Sequence, residues 1–175
     1  MFQNTRSNLI GVMTYFLYSN IKNLPVASLA ESQKVGRLTK VLVDLDRLEI
    51  IGFLIRENFF SIKFLSLAEI TELDKRGVVI ESKEKLARPD EIVRVQHIIK
   101  NGIELISLPV KTQNNKFIGR ITDFVFESES GKILKFYLQF FLHSRIISRA
   151  NVIRTTPQKM VVENDSAMVG ASQLV

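Results

Sequence analysis

Two stretches of the chain share one pattern of apolar and polar positions. Residues 35–44 read VGRLTKVLVD and residues 118–127 read IGRITDFVFE. After each glycine, β-branched, aliphatic and aromatic residues dominate, which favours strands over Leu38–Val43 and Ile121–Phe126. Asp44-Leu45-Asp46 and Glu127-Ser128-Glu129-Ser130-Gly131 then supply turn chemistry. Alternation resumes beyond each turn. Ile51, Phe53 and Ile55 share one face, and Leu134, Phe136 and Leu138 match them. Shorter strands are predicted at Phe64–Leu67 and Ile146–Arg149, and last ones at Val78–Glu81 and Met160–Glu163. Asp74-Lys75-Arg76-Gly77 and Thr155-Thr156-Pro157-Gln158 are the turns before them. Five or so short strands in roughly 60 residues predict a small closed or nearly closed barrel, because closure hides strand edges.

The pattern is an internal repeat. With Gly36 set on Gly119, an offset of 83, Arg37/Arg120, Thr39/Thr122, Ile50/Ile133 and Phe53/Phe136 are identical. Leu24-Pro25-Val26 matches Leu108-Pro109-Val110 at offset 84. Ser66/Ser148, Ala68/Ala150, Val79/Val161 and Glu81/Glu163 match at offset 82. The preserved order predicts a duplication, with one copy over 21–82 and the other over 105–164. An apolar segment (1–20), a linker (83–104) and a tail (165–175) complete the chain. In the linker, Pro89–Lys100 has acids in its first turn, Lys at its end and Gly102 as a stop, which predicts a short helix. Ile92, Val95 and Ile99 would form its docking face.

The apolar run Leu9–Tyr18 (LIGVMTYFLY) is too short for a bilayer-spanning helix, which needs about 20 residues. Only Arg6 precedes it and no small-x-small cleavage site follows directly, so a signal peptide is not expected. Ile10, Met13, Phe16 and Leu17 fall at helical spacing, which suits docking on the chain's own barrel, on a membrane or on a partner. The sequon Asn164-Asp165-Ser166 is taken as chance.

Composition narrows the chemistry. The chain is 46% hydrophobic and 24% charged and has no cysteine, so disulfides and thiolate sites are excluded. Its only histidines are His97 and His143, one expected in the linker helix and the other in a loop. That argues against a two-histidine metal site. No phosphate-binding glycine loop occurs, and the carboxylates Asp44, Asp46, Glu49, Glu127 and Glu129 sit in turns, where backbone geometry favours them. The net charge of +6 is shared evenly: 13 basic and 10 acidic residues in 1–88, 11 and 8 in 89–175. One local asymmetry stands out. No acid lies between Ser130 and Val162, where Lys132, Lys135, Arg145, Arg149, Arg154 and Lys159 fall together.

Leu-Pro-Val, a variable loop, Gly-Arg with a hydrophobic strand ending in an acid, and then a Phe-bearing strand together resemble the PRC-barrel domain. That family includes the cytoplasmic domain of the photosynthetic reaction centre H subunit and the C-terminal domain of a ribosome maturation factor. Pro89–Gln96 (PDEIVRVQ) and Val152–Glu163 (VIRTTPQKMVVE) are similar to the two-barrel PRC proteins of cyanobacteria and algal plastids. The chain departs from the H subunit in that no transmembrane helix is expected before the barrel. It departs from the maturation factor in having a second barrel where that protein has a different N-terminal β domain. The resemblance implies a mainly β chain: two small PRC-type β-barrels from an internal duplication, joined by a short helix. It brings no catalytic residue and no cofactor.

Two surfaces are candidate partner sites. Asn58-Phe59-Phe60 and Phe140-Phe141-Leu142 follow corresponding strands, and such rings either close the barrel ends or form an apolar lip for a partner. Arg145, Arg149, Arg154 and Lys159 would form a basic face for phosphate or an acidic protein. The expected function is a non-enzymatic adaptor, or an assembly or stabilising factor, binding protein subunits of a larger complex. The resemblance points to a photosystem or antenna complex and to the cytoplasm, plastid stroma or thylakoid surface, without secretion. The alternative is ribosome maturation or RNA processing through the basic face of the second barrel.

Overall fold

The computed structural model describes residues 14–163 and 169–170. The chain is mainly β. In order, its elements are β1 (Tyr15–Leu17), α1 (Tyr18–Ile21), β2 (Pro25–Ser28), β3 (Gln33–Asp44), β4 (Glu49–Arg56), β5 (Ile62–Ser66), β6 (Ile70–Leu73) and β7 (Val78–Ile80). Then come α2 (Val93–Lys100), β8 (Pro109–Thr112), β9 (Phe117–Glu127), β10 (Ile133–Phe140), β11 (His143–Ser148), β12 (Val152–Thr155), β13 (Met160–Val162) and β14 (Val169–Gly170). The strands at β6 and β12 were not legible in the alternation, which is too brief there.

The first sheet runs β5-β4-β3-β2-β7-β6. The second runs β11-β10-β9-β8-β13-β12 in the same sense, with β14 beyond β11 and β1 beside β9. Each contains one parallel pair, β2 with β7 and β8 with β13. Neither hydrogen-bonded path closes on itself among the described residues, so the sheets are not closed barrels. The reason is local. Phe64 on β5 exchanges both backbone hydrogen bonds with Ala87, at 2.8 and 2.9 Å, and β14 takes the matching edge of β11. The edges that would close each path are therefore already occupied.

Repeated residues hold repeated positions. Gly36 lies against the Arg56 carbonyl and Gly119 against that of Gln139; a Cβ at either would come within 2.8 Å of the oxygen. Arg37 donates from Nη1 to the Asn23 carbonyl (3.0 Å), and Arg120 to the Ser107 carbonyl (2.8 Å). Thr39 and Thr122 donate across the sheet to the Leu54 and Tyr137 carbonyls, at 3.0 and 3.2 Å. The Gly-Arg-x-Thr phrase is thus a set of internal hydrogen bonds and close contacts.

The sheets meet through their equivalent turns. Ile50 N–H donates to the Gly131 carbonyl (2.8 Å), and Ile133 N–H donates to the Leu48 carbonyl (3.0 Å). Glu49 and Lys132 form an antiparallel bridge between them. These positions are related by the offset of 83, so the contact is reciprocal, as in a twofold interface. Leu48 and Gly131 both carry left-handed backbone, with φ of 50° and 73°. Around this junction the buried apolar residues form one cluster spanning both sheets.

Two expectations are corrected. On α2 the buried residues are Val95 and Ile98, with Ile92 packed beside them, while Ile99 is 39% exposed. The helix starts only at Val93 after a 3-10 turn, so its docking face is rotated by one position from the expected one. Phe16 and Leu17 lie on a strand instead of a helix: β1 pairs with Val125–Glu127, the part of β9 that β8 does not cover. Phe16 is buried there, with its ring 6.1 Å from that of Phe126. Ile10, Met13, the sequon and most of the tail lie outside the described residues. Among the described residues no helix is long and apolar enough to cross a membrane.

Candidate functional site

Strands β4 and β10 begin at the junction and leave it in opposite directions, because the Glu49–Lys132 bridge is antiparallel. Each is eight residues long. At about 3.3 Å per residue, their far ends are at most roughly 50 Å apart. Both far ends carry the aromatic tips. Phe59 and Phe60 are 86% and 93% exposed, with rings edge-to-face at 5.1 Å. Asn58 holds this turn by accepting from the Phe60 N–H (2.9 Å). At the other end, Phe141 and Leu142 are 83% and 95% exposed. Phe140 is half-buried, edge-on to Phe117 at 5.6 Å and to Phe141 at 4.8 Å. The tip rings Phe59, Phe60 and Phe141 therefore face solvent, and only Phe140 packs into an end.

The candidate basic residues fall on consecutive elements, from β11 to the turn between β12 and β13. Arg145 is on β11 opposite Leu138 and Gly170. Arg149 reaches the junction, donating from Nη2 to the Arg47 carbonyl. Arg154 is exposed on β12 opposite Val161, and Lys159 closes the β12–β13 turn through its backbone bonds to Thr156.

A concave basic feature lies elsewhere, beside the Phe59–Phe60 tip. A cleft of about 620 Å³ is lined by Lys34, Arg37, Arg56, Glu57, Asn58 and Lys83, among others. Arg37 and Arg56 are directly opposite on β3 and β4. Glu57 is the cleft's one acid, its side chain 10% exposed. It accepts from the Ser61 hydroxyl (2.7 Å) and pairs with Lys83 Nζ (3.1 Å). Burial pushes the Glu57 carboxyl up, but the Ser61 and Lys83 contacts outweigh it and hold the group below the usual carboxylate range. Composition missed this cleft because the two halves carry equal net charge. The signal available was the pair Arg37/Arg56 set against Arg120/Gln139, and it has meaning only once the strand register is known.

Compared with known proteins, the chain matches no family model and no curated protein sequence.

Proposed function

We propose that the protein is a rigid two-ended adaptor that binds protein subunits of a larger complex and performs no catalysis. The observation that carries this reading is the pair of exposed apolar hairpin ends, Phe59–Phe60 and Phe141–Leu142, on strands that diverge from one junction. Exposed aromatic clusters cost solubility and commonly mark interaction sites. The common strand order and the matched hydrogen bonds at offsets of 83 to 84 support two PRC-type units from a duplication, each a nearly closed barrel. The resemblance to two-barrel PRC proteins supports a photosystem or antenna complex as the host, with the adaptor on its cytoplasmic or stromal side.

Tagging the protein in its own cell, purifying it gently and identifying its companions tests the reading. Pigment-protein subunits are the expected companions. Ribosomal proteins and rRNA as the main companions would overturn it in favour of ribosome maturation.

A further inference from the structure

We propose that the cleft beside β3 and β4 is a binding site for a phosphate-bearing small molecule. Its phosphate would be held by Lys34, Arg37 and Arg56, with Lys83 at the margin. The site stands independently of the adaptor reading.

The charge arrangement motivates the proposal. Arg37 and Arg56 occupy directly opposed cross-strand positions, where like charges repel unless something neutralises them. Among the described residues, no carboxylate pairs with Lys34, Arg37 or Arg56. The cleft's acid, Glu57, is committed to Ser61 and Lys83. Glu31 accepts from the Lys83 backbone N–H (3.1 Å) and from the Ser28 hydroxyl. Four cations against one acid leave the cleft net positive.

The second sheet holds the same strand arrangement without these cations. There Phe117 stands where Lys34 does, Gln139 where Arg56 does and Phe140 where Glu57 does. Arg120 faces Gln139 across the strands and still donates to the Ser107 carbonyl, as Arg37 does to Asn23. At the corresponding end Phe117 packs edge-on against Phe140, and Phe141 stands edge-on beside Phe140 while facing solvent. One end therefore carries aromatic side chains in edge contact, while the other, on the equivalent strands, is an open cationic cleft. The carbonyl bond explains Arg37; it leaves Lys34 and Arg56 without a structural task.

The chemistry selects the ligand. Arg37 spends one donor on Asn23 and keeps the rest, Arg56 offers a whole guanidinium, and Lys34 adds an ammonium. Two planar forks and a point charge suit the oxygens of a phosphate group. The volume is that of a small-molecule pocket. No aromatic side chain lines the cleft, so it offers no stacking platform for the bases of single-stranded nucleic acid.

Inorganic pyrophosphate is the probe, titrated into the full chain at low salt and followed by calorimetry and by backbone amide shifts. Saturable binding is expected, with shifts confined to residues 33–37, 56–58 and 83, and weakened by added salt. Arg56→Gln and Lys34→Phe install the second sheet's own residues, so unchanged thermal midpoints would confirm folding. Each is expected to weaken binding about tenfold or more. Orthophosphate should bind at the same residues, but more weakly. No shift at millimolar pyrophosphate would overturn the proposal, as would equal binding by the folded Arg56→Gln variant. Tighter competition by an acidic peptide or by single-stranded RNA than by pyrophosphate would also overturn it, reassigning the cleft to a macromolecule.

Discussion

At the scale of single residues, the junction depends on backbone that most side chains cannot adopt. Gly131 has φ +73°, and a Cβ there would press on the Ile50 carbonyl that faces it across the junction. Gly131→Ala should therefore cost at least about 1–2 kcal/mol from left-handed strain alone, and more from the lost approach. Urea unfolding checks this, and an unchanged midpoint would contradict the reciprocal junction. Two carboxylates should govern the acid limb of stability. Burial pushes Asp44 up, but the Arg47 N–H and the Arg94 guanidinium outweigh it, and Glu57 is held low in the same way. Both folded pKa values lie below the unfolded ones of about 3.9 and 4.3. Their stabilisation is fully present above those unfolded values and is lost as pH falls through the folded ones. The double variant Asp44→Asn, Glu57→Gln should be less stable than the parent at neutral pH. Its urea midpoint should also fall less on acidification below about pH 4. Asp44 was legible in the sequence only as a turn residue. Its partner Arg94 is fifty positions away and became visible only in the fold.

At the scale of elements, the long strands were legible because alternation is a local signal. Phe53, Ile55, Phe136 and Leu138 are buried as alternation assigned them, but Ile51 and Leu134 are only half-buried, and Ile50 and Ile133, beside register shifts in the ladders, take the buried places instead. What failed was rotation and partner choice. The heptad-like spacing of Ile92, Val95 and Ile99 gave the helix but placed its face one residue away from Ile98. Ile98→Ala should cost about 2–4 kcal/mol, whereas Ile99→Ala should stay within about 0.5 kcal/mol. Equal losses in chemical unfolding would restore the original face. Residues 15–17 were misjudged for a related reason. Their apolar spacing suits a helix, yet an uncovered stretch of β9 offers backbone partners that periodicity does not reveal. Two differences between the copies are absorbed by local contacts. Lys40 pairs with Glu104 at 2.6 Å, while its counterpart Asp123 accepts from the Ser19 N–H at 3.1 Å. Leu67 lies beside Gly131, and its counterpart Arg149 reaches Arg47.

At the scale of the whole molecule, two sheets of one strand order meet head to head, and their far ends differ in chemistry. The repeat was legible because its offsets stay near 83 throughout. The reciprocity of the junction was not, because nothing in the alignment shows that equivalent turns touch. The same register effect hid the cleft: Arg37 and Arg56 are nineteen positions apart and become one feature only across β3 and β4. The two tips differ in setting, one beside a cationic cleft and one beside the edge-on pair of Phe117 and Phe140. The most direct measurement is partner capture from the native cell with three folded variants: Phe59→Ser with Phe60→Ser, Phe141→Ser with Leu142→Ser, and all four together. Each two-site variant is expected to lose a different part of the captured set, and the four-site variant to lose all of it, with thermal midpoints unchanged. Retention of every companion by the four-site variant would contradict the two-ended adaptor.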